Sequence, residues 1–163
     1  MGLDYLALSE MYRPAVIKTL LVGEAPPHNR TTYFYQPTVL RRIPNIRNNS
    51  SLPATIFYHY FQELPNNVEE YVALLLRLKE LGVFLVDLYD LPIRVRGDAA
   101  GVQQIREAVP LFREKLKRRN IDVADENIVF LLARRNYRAI LQDEFPESRL
   151  VQWIDFRMSN HNA

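Results

Sequence analysis

The chain has no cysteine in 163 residues. Disulfides, thiolate metal sites and cysteine-bound clusters are therefore excluded, which is the usage expected in a reducing compartment. Nor is there an apolar run near the ~20 residues that cross a bilayer, and the start, Met1-Gly2-Leu3-Asp4-Tyr5, lacks the basic stretch and apolar core of a secretory leader. Charge of one sign is also missing: the formal net charge is +2, too small to name a partner by itself. No Gly-x-x-x-x-Gly-Lys phosphate loop, dinucleotide fingerprint, nucleophile elbow, Ser-His-Asp pattern or His/Asp/Glu metal spacing occurs. What remains is ordinary globular usage, with 48% hydrophobic and 25% charged residues. A soluble, cytoplasmic, single domain over residues 1–163 is expected, without a cofactor or metal and without a membrane partner.

Hydrophobic periodicity divides the chain into alternating helices and strands. A short helix is expected over Asp4 to Arg13, stopped by Pro14, then a strand over Val16 to Val22 that Gly23 ends. The segment from Glu24 to Ser51 is rich in Pro, Asn, Arg and aromatics, and a loop of such length is often functional. A helix opens at Ser51-Leu52-Pro53 and runs to about Leu64. Asn67 with Glu70 three residues on is a capped start for a helix carrying Val72, Leu75, Leu76, Leu78 and Leu81, which Gly82 stops. Val83 to Leu88 is a second strand. Asp98 caps a helix to about Ala108, and Pro110 begins another that ends in the basic run Lys115 to Arg119. Ile128 to Leu132 is a third strand, a helix comes next from about Arg135, and Leu150 to Asp155 is a fourth strand. The fold class is α/β: three α/β/α layers around a short, mainly four-stranded parallel sheet.

Ligands in such sheets bind beyond the carboxyl ends of the strands. Glu24, His28, Arg30 and Tyr33-Phe34-Tyr35 come after the first strand. Asp87, Asp90 and Arg94 come at or after the end of the second. Arg134, Arg135 and Asn136 come after the third, and Asp155, Arg157, Asn160 and His161 after the fourth. Arginine occurs after every strand, as phosphate binding requires, and aromatic rings can stack a base. Polar loops are common in any protein, however, and composition alone favours solvated arginines there. The turn Gly23-Glu24-Ala25-Pro26-Pro27 is more specific: glycine permits a sharp departure from the strand, and the two prolines stiffen the turn, so the carboxylate is pre-positioned. The plain alternative is a rigid turn with an exposed glutamate. The basic run Lys115 to Arg119 reads as a solvated helix end favoured by the helix dipole, with contact to a phosphate backbone as the alternative.

The stretch Leu20-Leu21-Val22-Gly23-Glu24-Ala25-Pro26 resembles the first motif of the uracil-DNA glycosylase superfamily, and Gly-Glu-x-Pro-Pro with Tyr33-Phe34-Tyr35 after it is closer still to a set of small bacterial proteins related to it. Phe84 to Leu88 is similar to that superfamily's second strand, Ile128 to Leu132 to its third, and Asp155 to His161 falls where its last motif belongs. The resemblance implies a uracil-DNA glycosylase-like fold and hydrolysis of an N-glycosidic bond on an extruded nucleotide. Glu24 would position the attacking water, and His161 would stabilise charge on the departing base. One of Tyr33, Phe34 and Tyr35 would stack on the base, whose edge Asp87 would read. Arg30, Arg94, Arg134, Arg135 and Arg157 would meet phosphates of a nucleic-acid partner, DNA in particular and single-stranded or already open. Ionised Asp87 only accepts hydrogen bonds, which suits a base with an amino donor.

Three functions remain open on the sequence: a DNA glycosylase for a damaged or unusual base, a non-catalytic nucleotide or nucleic-acid binder that keeps the fold, and a small-molecule hydrolase using Glu24. The oligomeric state is left open.

Overall fold

The computed structural model describes residues 5–24, 33–36, 52–89, 98–132, 137–152 and 155–156. Four strands form one sheet: β1 (Thr19–Gly23), β2 (Val83–Asp87), β3 (Ile128–Leu132) and β4 (Arg149–Gln152). All pairings are parallel and the spatial order is β2-β1-β3-β4. Helix α1 (Tyr5–Glu10) precedes β1. Helices α2 (Leu52–Phe61) and α3 (Val68–Glu80) connect β1 to β2. Between β2 and β3 lie α4 (Asp98–Arg118) and a 3-10 turn (Asp125–Asn127), and α5 (Arg138–Glu144) leads to β4. The expected α/β class and parallel sheet are therefore found.

The sequences of β1, β2 and β3 are almost wholly apolar because both sheet faces are covered. Val22 pairs with Phe130 in register, so their side chains share a face. There the Phe130 ring meets Phe112 of α4 and Phe145 just after α5. Gly23 faces the other way, where a Cβ would meet Leu52 of α2. On that side Phe57 of α2 packs edge-on against Tyr71 of α3.

Several boundaries differ from expectation. β1 starts at Thr19, and Val16 is exposed. α3 begins at its Asn67 cap, whose side chain accepts from the Glu70 amide, but its buried stripe is Tyr71, Leu74, Leu75 and Leu78. Leu76 and Leu81 point to solvent. Gly82 adopts φ 77 and its carbonyl accepts the Lys18 and Thr19 amides at 2.7 and 3.1 Å, so the end of α3 sets the entry to β1. β4 ends at Gln152, and Asp155 lies in a helical turn instead. The two helices expected on either side of Pro110 are one continuous helix, α4, of 21 residues. Pro110 and Arg106, four residues earlier, both lie on its exposed face, so the carbonyl that loses its partner can be hydrated.

Candidate functional site

The chain leaves β1 for β2 on one face and β3 for β4 on the other. The connections therefore diverge between the carboxyl ends of β1 and β3, the switch point where open α/β sheets form their crevice. Glu24 stands there at the end of β1, and Tyr137 stands there at the entry to α5. The Tyr137 phenol donates to Glu24 Oε1 at 3.3 Å, a long hydrogen bond. Tyr137 is buried and Glu24 half-buried. The main chain of Glu24 is held too, since its carbonyl accepts the Tyr89 amide at 3.0 Å, while Gly23 accepts the Leu88 amide at 2.8 Å. Beneath the carboxylate the floor is apolar, formed by Val22, Leu88, Ile105, Phe130 and Leu132. A carboxylate so placed can accept a proton or orient a water.

Asp87 ends β2 in register with Gly23. Its side chain leaves the face opposite to that of Glu24, because side chains alternate along neighbouring strands. A Cβ on residue 23 would lie 2.9 Å from Asp87 Oδ1, so the carboxylate rests against the bare backbone of β1. The two acidic residues thus occupy adjacent strand ends, and a ligand touching both must straddle the edge of the sheet.

The aromatic run has a structural role along the open side of β2. β2 is an edge strand, and the amide of Leu85, unused by the ladder, donates to the Tyr35 hydroxyl at 2.8 Å. The Tyr71 hydroxyl donates to the Phe34 carbonyl at 2.6 Å. Covering an edge in this way removes a template for unwanted strand pairing. Phe34 and Tyr35 are each 3% exposed. Tyr35 stacks on Tyr12 and meets Phe84, and Phe34 meets Phe57, so neither ring has a face open to a base. Tyr33 is buried too, its ring packed against Tyr5 and Tyr35 and its hydroxyl donating to the Tyr5 carbonyl at 3.3 Å, but it also borders a cavity. Burial pushes the phenols of Tyr33, Tyr35 and Tyr71 well above the ordinary tyrosine value, with Asp87 nearby adding to the effect at Tyr33.

That cavity, of about 290 Å³, lies beside β2 between α1 and the last turns of α4. Its presence corrects the reading of Lys115 to Arg119 as a solvated helix end. Lys117 and Arg118 are exposed, but Lys115 is only 5% exposed, and its ammonium donates to the Asp87 carbonyl. A favourable helix dipole is worth ~0.3–1 kcal/mol, whereas burying an ammonium costs several kcal/mol, so the dipole alone does not account for its position. The signal was present in the helix period. Ile105, Ala108, Phe112, Lys115 and Arg119 recur at three- and four-residue steps, which puts both cations on the buried stripe. Tyr137 was visible in the sequence only as an apolar helix residue, because contact with a glutamate 113 positions away leaves no local trace.

Of the sequence-expected site residues, the fold places Glu24 at the switch point, Asp87 one strand away, and Tyr33 with Asp87 on the cavity wall. His161, Arg30, Arg94, Arg134, Arg135 and Arg157 lie outside the described residues, as do His28, Asp90, Asn136, Asn160 and Trp153. Among the described residues no group of three or more His, Asp or Glu could hold a metal ion, and no helix is long and apolar enough to cross a membrane. No protein-family model matches the chain, and neither a curated protein nor a solved structure shows significant similarity to it.

Proposed function

We propose that the protein is a uracil-DNA glycosylase-like hydrolase that cleaves the N-glycosidic bond of a damaged or unusual base in DNA, single-stranded or already open. The observation that carries this reading is Glu24, half-buried at the switch point of a parallel sheet and tethered by Tyr137. The Gly-Glu-Ala-Pro-Pro turn, with its resemblance to the superfamily's first motif, supports it.

In this reading Glu24 accepts a hydrogen bond from a water and directs it at the anomeric carbon. The carbon–nitrogen bond breaks with its electron pair leaving on the base. The water oxygen bonds to the cationic sugar carbon, and its proton passes to Glu24. Asp87 accepts from an amino donor on the base, and Tyr33, the one member of its aromatic run that borders a cavity, would have to turn from Tyr5 to stack on it. His161 would stabilise the departing base, and the arginines after each strand would hold phosphates.

Base release from single- and double-stranded oligonucleotides carrying uracil, hypoxanthine, xanthine and oxidised bases tests the proposal. Glu24→Gln should lower release by roughly 10²–10⁴-fold while sparing binding. Release unaffected by this change would refute the role of Glu24. A second reading, a non-catalytic nucleotide or nucleic-acid binder, draws on the fact that Glu24 is not among the residues lining the 290 Å³ cavity that carries Asp87. DNA binding without release of any base would select it.

A further inference from the structure

We infer that helix α1 is a lid over the cavity beside β2, hinged at Tyr12 to Pro14 and latched by Glu10 to Arg119, and that its opening admits solutes to that space. Tyr5, Leu6 and Ser9 of α1 line the cavity together with Leu85, Val86 and Asp87 of β2.

The helix has little apolar anchorage. Of its six residues only Ser9 is buried, and Leu6 is 53% exposed. A helix this short does not persist alone in water, so its closed position depends on side-chain contacts. The hinge is held differently. Tyr12 is buried and stacks on Tyr35 at 5.7 Å between ring centroids, and Pro14 is buried as well. Between them the Arg13 guanidinium donates to the carbonyls of Arg119 and Asn120 at 2.8 and 2.7 Å. The chain is thus fixed just beyond the end of α1, while polar contacts hold the helix itself. At its start the Tyr33 hydroxyl donates to the Tyr5 carbonyl at 3.3 Å, a long bond. At its end Arg119 Nη2 donates to Ser9 Oγ at 3.2 Å and to Glu10 Oε1 at 2.7 Å. The Glu10 side chain is 39% exposed, so water and salt compete for this latch. A fixed hinge, a polar latch and few buried apolar contacts are the conditions for opening one element without unfolding the rest.

The inference requires no particular ligand. Within the proposed glycosylase reading the lid regulates access to Asp87 and Tyr33, but the test uses neither base release nor Glu24, so the two fail separately. Because the chain has no natural cysteine, one introduced thiol reports access to one place. Val86 lines the cavity, whereas Val22, its register partner on β1, is not among the lining residues. The two are 4% and 1% exposed. With an aromatic disulfide reagent, Val86→Cys should be labelled roughly tenfold or more faster than Val22→Cys and with a weaker dependence on urea, because the reagent enters by local opening. Adding Glu10→Gln should speed labelling of Val86→Cys severalfold, the weight of a partly exposed ion pair. Salt at about 1 M should do the same. Neither change should alter the urea midpoint or the labelling of Val22→Cys appreciably. If Val86→Cys does not fold, Ser9→Cys, a nearly isosteric change on the inner side of the lid, gives the same comparison. Equal labelling of the cavity and control thiols, or fast labelling of the cavity thiol that ignores both Glu10→Gln and salt, overturns the inference.

Discussion

At Gly23 and Gly82 the missing side chain serves different ends, and substitution should separate them. The Cβ of an alanine at 23 would meet Asp87 Oδ1 at 2.9 Å, the far tip of a flexible side chain. The carboxylate can swing away, and alanine restricts the unfolded chain, so stability to denaturant should stay within about 1 kcal/mol of wild type. Asp87 would be displaced, however, and ligand binding should fall. At Gly82 the added Cβ would meet Lys18 Cγ at 2.8 Å and the Val16 carbonyl at 3.0 Å, with φ at +77°. Gly82→Ala should therefore cost roughly 1–2 kcal/mol or more from the left-handed conformation alone. Equal losses of stability in the two variants would contradict this account. Tyr137→Phe keeps the buried ring and removes the bond to Glu24. It should fold normally and lose activity roughly tenfold, whereas an unchanged turnover would deny Tyr137 a positioning role. The place of Glu24 at the end of β1 was legible in the sequence because Gly23 punctuates the apolar run before it, while Ala25 to Pro27 of that turn lie outside the described residues. Tyr137 was not, because its role depends on how β3 and α5 are placed beside β1.

Among the elements, strands were read well and helix breaks poorly, for one physical reason. Ile128 to Leu132 coincides with β3 because a strand buried on both faces announces itself as an apolar run. Pro110 suggested a break because proline removes a helix hydrogen bond, but an exposed carbonyl four residues back can turn to water. Packing of Phe112 and Val109 into the core then carries the helix through. If that is right, Pro110→Ala restores the bond at an exposed site and should raise stability by roughly 1–3 kcal/mol; a destabilised variant would mean that the proline relieves some strain. At the other end of α4, Asn120 takes φ 54, with amide bonds from Asn120 to Lys117 and from Ile121 to Leu116. This closes the helix and fixes the direction in which Lys115 and Arg119 project. The edge of β2 yields a matching test. Tyr35→Phe leaves the Leu85 amide buried without its acceptor and should cost about 1–3 kcal/mol in chemical denaturation. No loss would mean that water or another group replaces the phenol.

For the whole molecule, the aromatic clusters that close the core predict how it responds to alkali. Burial raises the phenols of Tyr33, Tyr35, Tyr60 and Tyr71, and Tyr60 is pushed up to about 12 from 10.0. Below pH 10 these groups are neutral in both folded and unfolded chains, so their contribution to stability is fully present. Above it the unfolded chain releases protons that the folded chain still holds, and this favours unfolding. Stability should therefore fall as pH rises from about 10 through about 12, Tyr60 completing its share near the upper limit and the others continuing beyond. The low side differs in sign: burial lowers the His59 imidazole, so its contribution is present above the ordinary histidine value and lost as pH falls. Denaturant midpoints across the alkaline range, with tyrosinate absorbance monitored in parallel, check the first limb. Beyond the share of the half-buried tyrosines, tyrosinate formation should follow the loss of stability, because the fully buried phenols of Tyr35 and Tyr71 are shielded until the chain opens. Tyrosinate absorbance that reaches the value for all nine tyrosines while the helical signal is intact would place the buried phenols in contact with solvent and remove the basis for an edge of β2 sealed by Phe34 and Tyr35.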